Sequence, residues 1–200
     1  KGFQANAASW GVLLTNEEAQ YIVGAYREKY HLVKSLWYRC KNAAVAAVRN
    51  PRESFPVNST TYKVLFDRNK TPWLQAMLPS GRALYYNKPH LYEDDFGIGV
   101  KAFGINPYTK QWQALKIIPG RFVENIDQAL ARDILANGKL NLHKAGYKVI
   151  GSVHDEVLCE VDKDNNCLQD IYDKMCDLPA WANGLPLTAE GFIEKRYRKM

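Results

Sequence analysis

The chain has 200 residues, of which 46% are hydrophobic and 12% aromatic, and this composition excludes a disordered protein and suits one or two folded domains. The formal net charge of +6 and the sequence pI near 9.0 favour an anionic partner, although an excess of this size is also common in proteins that bind no polyanion. No apolar run approaches the ~18 residues of a membrane-spanning helix, so the sequence predicts no membrane partner.

Two helices are predicted near the start of the chain, after residues 1–14, which carry little pattern. Thr15 stands three residues before Glu18 in a capping box, which indicates a helix start. The helical spacing of apolar residues predicts that this helix buries Ala19, Ile22, Val23 and Tyr26. A second helical run ends before Pro51. The outer side of the pair is basic and is either a solvated surface or a nucleic-acid contact; its residues are Arg27, Lys29, Lys34, Arg39 and Lys41.

In the next segment we predict a crossing between two subdomains, followed by strands. Residues 51–81 mix proline, small polar and basic residues without clear periodicity, so we predict a crossing between two subdomains here. A turn signal at residues 79–81 precedes a predicted strand at residues 82–86. Residues 96–105 and 111–118 are rich in β-forming residues, and the turn residues between them predict a hairpin.

A long helix is predicted to open after Pro119-Gly120 and to run at least to Ala136. An apolar stripe should pack on the sheet, and it comprises Val123, Ile126, Leu130 and Ile134. By pattern alone, Asn137-Gly138 indicates a helix end.

A second stripe on the same helix carries hydrogen-bond donors at every position, with spacings of four, three and four; it comprises Arg121, Asn125, Gln128 and Arg132. Every base pair offers an acceptor at nearly the same place in the minor groove, so Asn or Gln there can test pairing geometry without choosing a sequence. Arg residues on either side can hold phosphates. The neighbouring acids, of which Glu124 is one, are predicted to lie off the stripe. The alternative is an ordinary solvated helix face.

Residues 147–161 predict a hairpin in which two half-buried strands flank the acidic tip His154-Asp155-Glu156. Two adjacent carboxylates are costly to bury unpaired, so they must meet water, a base or a cation. Mg²⁺ takes one or two carboxylates together with waters and substrate phosphates, and this tip can supply them. The alternative is a turn whose acids are only solvated.

Beyond the hairpin, the sequence predicts a helix, a last strand and a basic tail. Asp164 or Asn165 is the candidate N-cap of the helix, and Pro179 ends it. Residues 185–189 are the candidate strand. The tail either contacts phosphates or only keeps the terminus in solution, and its basic residues are Lys195, Arg196, Arg198 and Lys199.

The cysteines bear on the cellular compartment of the protein, and the first residue bears on whether the chain is a fragment. None of the four cysteines belongs to a CxxC pair or to a zinc-like spacing, so we predict reduced thiols in a cytoplasmic protein. Because the first residue is Lys1 rather than Met, we expect the chain to be a fragment or a processed piece.

Three segments together resemble a known family. Residues 153–157, Val-His-Asp-Glu-Val, resemble motif C of the family A (Pol I-like) DNA polymerases, whose palm hairpin carries a His-Asp-Glu tip. Residues 124–135 are similar to the palm helix that precedes motif C, and residues 178–182 and 189–192 are similar to the C-terminal segment of phage-type members. The segments occur in the family's order, and the resemblance covers most of the chain.

The resemblance implies an α+β fold with helices packed on a mainly antiparallel palm sheet. Residues 1–55 would be a helical remnant of the fingers, close to template or incoming nucleotide, and residues 56–200 the palm with its motif C hairpin. Relatives usually continue the palm helix to the glycine before the motif C strand, here Gly146. We therefore favour a helix that continues through Gly138, although an interior glycine costs about 1 kcal/mol relative to alanine.

The implied activity is template-directed nucleotidyl transfer from dNTPs to a primer 3′ end in DNA replication, with primer-template DNA and dNTP as partners. Asp155 would be a Mg²⁺ ligand. Glu156 would assist at the metal as an outer-shell partner rather than as an equal ligand. His154 would hold the primer-terminal backbone. Gln128 and Asn125 would face the minor groove, with Arg121 and Arg132 on the DNA backbone.

Two motifs of the family are missing from this sequence. The family holds two metal ions with a motif A Asp and a motif C Asp, and only the second has a counterpart here. The motif B helix, which grips the incoming triphosphate, is also missing. Half a site cannot clamp both the attacking and the leaving oxygen, so we expect the isolated chain to be inactive. The expected partner is the N-terminal remainder carrying motifs A and B, in the host cytoplasm if the protein is phage-encoded.

A rival hypothesis is a non-catalytic nucleic-acid-binding module that keeps the palm scaffold. A third possibility, a metal phosphohydrolase of the His-Asp type, is disfavoured. The remaining histidines, His31, His90 and His143, have no helical metal-ligand spacing to His154-Asp155.

Overall fold

The computed structural model describes residues 2–162 and 167–197. It has the predicted α+β class, with helices beside a six-stranded, mainly antiparallel sheet and a two-stranded hairpin. The helices are α1 (Gly2–Ser9), α2 (Asn16–Lys29), α3 (His31–Arg49), α4 (Pro119–Lys144) and α5 (Leu168–Cys176), with a 3-10 turn at Ala180–Ala182. The large sheet, in the order of the chain, comprises β1 (Ser54–Val57), β2 (Thr60–Phe66), β3 (Pro72–Met77), β4 (Ala83–Asp94), β5 (Gly97–Ile105) and β6 (Trp112–Ile117). The hairpin comprises β7 (Lys148–Val153) and β8 (Glu156–Glu160). No described helix is long and apolar enough to cross a membrane.

The chain divides into two compact units. The first comprises Lys1–Met77 and Tyr85–Glu124, and the second comprises Leu78–Leu84 and Asn125–Met200. Most of the six-stranded sheet belongs to the first unit, and the β7–β8 hairpin and α5 belong to the second. The predicted subdomain boundary between residues 55 and 56 is not tested by this division and stays a prediction.

The N-terminal helices confirm one prediction and correct another. The capping box is present, because the Glu18 N–H donates to Thr15 Oγ1 at 3.2 Å and the Thr15 N–H donates to Glu18 Oε2 at 2.8 Å. The predicted buried face of α2 is wrong, since only Ala19 is buried and both Ile22 and Tyr26 are exposed. The short helix α1 lies in the stretch that carried little pattern.

Three strands, β1 to β3, occupy the segment in which the sequence shows no clear periodicity, so the pattern did not predict them. The crossing between two subdomains in this segment stays a prediction. β2 alternates buried Thr60, Tyr62 and Val64 with more exposed neighbours, which is the period of a half-buried strand. The alternating run of β2 is short and lies between polar turns, so its strand pattern is difficult to recognise in the sequence. The turns depend on Asn58 and Lys70, whose φ angles of 51° and 60° lie in the left-handed region.

The core of the first unit lies between one face of the large sheet, α3 and the start of α4. Tyr62, Leu74 and Val100 are fully buried on that face, and α3 packs on β1, β2 and β5. Phe122, at the start of α4, is also fully buried. Its ring meets the rings of Tyr62 and Tyr86 edge-on, with centroid distances of 5.8 and 5.6 Å. Phe122 therefore anchors the first turn of α4 in this unit.

The predicted strand after the turn at residues 79–81 is confirmed and extends as β4 to Asp94. The predicted β5–β6 hairpin is also confirmed. Its turn is closed by a hydrogen bond from the Asn106 N–H to the Gln111 carbonyl, and Asn106 Oδ1 accepts from the Tyr108 N–H at 2.9 Å. Asparagine suits this position because its short side chain can replace a backbone acceptor in the turn.

The helix α4 continues through Gly138 to Lys144, as the resemblance implied. A Cβ atom on Gly138 would lie 3.3 Å from the Cα and carbonyl oxygen of Met175 in α5. Glycine thus allows the backbones of α4 and α5 to approach closely, which explains why it is tolerated inside a helix.

The buried side of α4 differs from the predicted stripe. Val123 and Ile126 are buried as expected, but Leu130 and Ile134 are only half-buried. Later in the helix the buried residues include Leu135. At 3.6 residues per turn, Leu135 lies on a different side of the helix from Val123 and Ile126. The buried residues of α4 therefore do not form one continuous stripe.

In the second unit, Asp133 of α4 holds the segment before β4. Arg82 Nε donates to Asp133 Oδ1 at 2.7 Å, and Ser80 Oγ donates to Asp133 Oδ2 at 2.6 Å. Arg82 also donates from Nη2 to the Ala129 carbonyl at 2.8 Å. Asp133 is mostly buried, so these charge-assisted bonds compensate its loss of water.

The C-terminal part of the second unit differs from the sequence prediction in two places. The candidate N-caps Asp164 and Asn165 lie outside the described residues, and the residue that precedes α5 is Cys167. Residues 185–189 form no strand, so that prediction is wrong. Pro186 lacks the N–H that a sheet ladder requires, and Tyr172 Oη instead binds the Gly191 carbonyl at 2.9 Å.

Candidate active site and nucleic-acid interface

The acidic tip lies in the tight turn between β7 and β8. Val153 is the residue opposite Glu156 in the antiparallel register, so His154 and Asp155 alone form the turn. His154 has φ 52°, a left-handed conformation that histidine adopts more readily than branched residues. The structure thus brings the three predicted residues together at one exposed end of the hairpin.

The strands of this hairpin are less buried than predicted. Ile150 is 60% exposed and Val153 39% exposed, whereas Val157 and Leu158 are half-buried. Within the described residues, β7 and β8 pair only with each other, so both outer edges of the hairpin lack a strand partner. A β-rich sequence predicts strands, but it does not supply the neighbours that would bury them.

The two carboxylates of the tip have different surroundings. Asp155 is exposed and makes no hydrogen bond or ion pair with any described residue. Glu156 accepts a hydrogen bond from Tyr197 Oη to Oε2 at 3.1 Å. No sequence pattern predicts this contact, because Tyr197 stands among the basic residues of the tail, far along the chain. Asp155 is therefore the carboxylate available to a ligand, and Glu156 is held by the C-terminal segment.

The Tyr197–Glu156 contact predicts a change in phenol ionisation. The hydrogen bond to Glu156 raises the pKa of Tyr197, because it stabilises the neutral phenol beside a carboxylate. Its stabilising effect is thus present below the ordinary tyrosine pKa of about 10 and is lost as the pH rises through the raised value. We expect Glu156→Gln to shift the Tyr197 pKa back toward the ordinary value.

The measurement is a pH titration of phenolate absorbance. The absorbance of the Tyr197→Phe protein is subtracted, so that the difference reports Tyr197. Glu160→Gln is the matched control, since Glu160 lies on the same strand but pairs with Lys148. An unchanged Tyr197 titration in Glu156→Gln would contradict the contact.

The four stripe residues of α4 are not equally available. Gln128 and Arg132 are exposed, and neither side chain bonds to another described residue. Asn125 is half-buried and has another interaction. Glu124, one of the acids predicted to lie off the stripe, accepts through Oε1 from Arg121 Nη1 at 3.1 Å. Side chains three apart on a helix are neighbours, which explains the pair.

The carboxylates of the tip suit a cation whose remaining ligands come from groups outside the tip. The described residues form no group of three or more His, Cys, Asp or Glu side chains that could hold a metal ion. Asp155 and Glu156 instead offer two neighbouring carboxylates. The four cysteines form no disulfide within the described residues, and Cys40 and Cys167 are buried.

Over 200 residues the chain is 34% identical to a DNA polymerase of Bacillus phage SP02. The alignment covers 100% of this chain and 30% of that protein. No protein-family model matches the chain, and no solved structure matches it significantly. The chain is therefore similar, over its whole length, to part of a phage DNA polymerase.

Proposed function

We propose that the chain is the C-terminal fingers-plus-palm portion of a phage-type family A DNA polymerase. The observation that carries the proposal is the exposed Asp155 carboxylate, held in a tight turn between paired strands and without a protein partner among the described residues. The similarity of the whole chain to part of a phage DNA polymerase supports it.

The proposed reaction is nucleotidyl transfer in DNA replication. The primer 3′ oxygen forms a bond to the α-phosphorus of a dNTP, the bond from that phosphorus to pyrophosphate breaks, and the hydroxyl proton leaves to solvent. Little covalent chemistry falls to the protein in such a transfer, so catalysis depends on positioning and on fixed charge.

The carboxylates at the hairpin tip are suitable ligands for Mg²⁺, which takes one or two carboxylates beside waters and phosphates. Asp155 would hold the ion, assisted by Glu156, and a bound ion would neutralise charge that develops on the phosphates. Tyr197 holds Glu156 through its hydrogen bond, which restricts the positions of that carboxylate. A motif A carboxylate from the N-terminal remainder of the polymerase would complete the site.

The remaining predicted residues would position primer-template DNA. His154 stands beside Asp155 in the same turn. Its ring would contact the primer-terminal backbone. Gln128 would test base-pair geometry in the minor groove, and Arg132 would hold a phosphate. Arg121 and Asn125 would contribute less, since each already has a partner within the chain.

We expect Gln128→Ala and Arg132→Ala to weaken duplex binding in different ways. Gln128→Ala should cost about 1 kcal/mol, the net value of one hydrogen bond, whatever the DNA sequence. Arg132→Ala should lower the slope of log affinity against log salt by about 0.9, the value for one neutralised phosphate. Fluorescence anisotropy with labelled primer-template at several salt concentrations measures both effects. Arg121→Ala is the matched control on the same helix, with a smaller expected change of slope. Unchanged affinity and salt slope in both variants would identify the stripe as an ordinary solvated face.

The test of the proposed function joins this chain to the polymerase polypeptide that carries motifs A and B. We expect the joined protein to extend a primer on a template when dNTPs and Mg²⁺ are supplied in vitro, and the isolated chain not to do so. The proposed location of the reaction is the host cytoplasm. A joined protein that binds primer-template but extends no primer would favour the non-catalytic binding module.

A further inference from the structure

The large sheet of the first unit has one covered and one open face. Tyr62, Val64, Leu74 and Val100 are buried on the covered face, where α3 packs. Successive side chains of a strand point to opposite faces, so their neighbours lie on the other face.

The open sheet face carries aromatic and basic side chains from five strands, and we define it by Lys63, Trp73, Tyr85, Lys101, Trp112 and Lys116. The register supports this grouping, because Lys101 lies directly opposite Lys116 on the neighbouring strand. Tyr85 is 61% exposed and Trp112 59% exposed, so these rings are available to a ligand.

Part of the open sheet face is held in a fixed arrangement. The Trp73 and Tyr85 rings meet edge-on with a centroid distance of 6.4 Å. Tyr85 Oη accepts from Gln75 Nε2 at 3.1 Å, and Trp73 Nε1 donates to Asp67 Oδ2 at 3.1 Å. Rings that are already positioned lose little conformational freedom when a planar ligand stacks on them.

The charge of the open sheet face favours an anion. The Lys101 and Lys116 ammonium groups lie 5.4 and 4.7 Å from the centre of the Tyr92 ring. Two carboxylates at the strand ends are already engaged, because Asp94 pairs with Lys116 at 2.8 Å and Asp67 accepts from Trp73. Lys116 is already neutralised by Asp94, so the open sheet face combines rings for stacking with the ammonium groups of Lys63 and Lys101 for phosphates.

We propose that the open sheet face binds single-stranded nucleic acid, with bases stacked on its rings and phosphates near its lysines. Bases of a duplex are already stacked on each other, so only an unpaired strand can use rings on a flat sheet. This binding site goes beyond the proposed function, since it uses no residue of α4 or of the β7–β8 hairpin.

The test measures binding of a labelled thymidine oligonucleotide of about 12 nucleotides to the whole chain by fluorescence anisotropy, without metal ions. An abasic oligonucleotide of equal length keeps the phosphates and removes the bases. We expect the thymidine oligonucleotide to bind at least about fivefold more tightly, the lower range for stacking of one base.

Substitutions locate the site. Tyr85→Ala with Trp112→Ala should weaken binding by about tenfold or more, whereas Tyr85→Phe should retain it, because phenylalanine keeps the ring. Lys63→Ala with Lys101→Ala should lower the salt slope by about 1.4, or 0.7 per phosphate of a single strand. Phe96→Ala with Tyr108→Ala is the matched control, since both rings are over 90% exposed at turns of the same sheet. Circular dichroism checks that each variant is folded.

Three results would overturn the proposal. The first is equal affinity for the thymidine and abasic oligonucleotides. The second is a loss of binding in the control pair that matches the loss in the ring pair. The third is competition by polyglutamate as effective as competition by unlabelled thymidine oligonucleotide, which would indicate an acidic protein as the partner. None of these measurements involves catalysis, so failure here and failure of the polymerase proposal are distinguishable.

Discussion

Asp155→Asn in the complete polymerase is expected to lower the rate of primer extension by about 10²–10³-fold, the usual cost of removing one group that stabilises transition-state charge. Asparagine keeps the shape of the side chain but replaces an anionic oxygen by a neutral amide. The turn should persist, because Asp155 makes no hydrogen bond or ion pair with described residues. Binding of primer-template DNA should therefore stay within about twofold, since in the proposed function this charge would act on the phosphoryl group rather than on the duplex.

The measurement is single-turnover incorporation of one dNTP, with DNA affinity determined separately. Asp162→Asn removes the same charge from an exposed position outside the turn and serves as the matched control. Glu156→Gln should cost less than Asp155→Asn, because Tyr197 already engages that carboxylate. An Asp155→Asn enzyme that incorporates dNTP at the wild-type rate would contradict the catalytic assignment.

Phe122→Ala is expected to lower the free energy of unfolding by about 3–5 kcal/mol, the range for large-to-alanine substitution of a buried aromatic residue. Phe122 is fully buried and contacts the rings of Tyr62 and Tyr86, so its removal leaves a cavity beneath the start of α4. Phe122→Leu should cost much less, because leucine fills most of that space.

Urea denaturation followed by circular dichroism measures this change. Phe96→Ala is the matched control, since Phe96 is 91% exposed and its loss should change stability by no more than about 0.5 kcal/mol. Equal effects of the two substitutions would show that Phe122 does not anchor α4 to the sheet.

The helix α2 shows where the sequence pattern is sufficient and where it is not. The Thr15–Glu18 capping box forms as predicted, because its hydrogen bonds join residues only three apart. The apolar spacing of the same helix predicts a buried face, yet Ile22 and Tyr26 are exposed. A stripe shows which side of a helix could be buried, while burial itself requires a neighbouring element.

The strand segments show the same limit. The β5–β6 turn was predictable, because Asn106 closes it through bonds to residues two and three positions away. The strands β1 to β3 were not, since their alternation is short and their pairing depends on distant residues. The registers that define the open sheet face, such as Lys101 opposite Lys116, also depend on how separate strands pair.

The sequence by itself determined the helix start at Thr15, the turn at Asn106, and the acidic tip at residues 154–156. These features depend on backbone preferences and hydrogen bonds between residues a few positions apart. The tertiary structure decided that Gly138 allows two helices to approach and that Tyr197 holds Glu156. The reason is physical: burial and long-range contacts depend on which distant segments fold against each other, and local pattern does not carry that information.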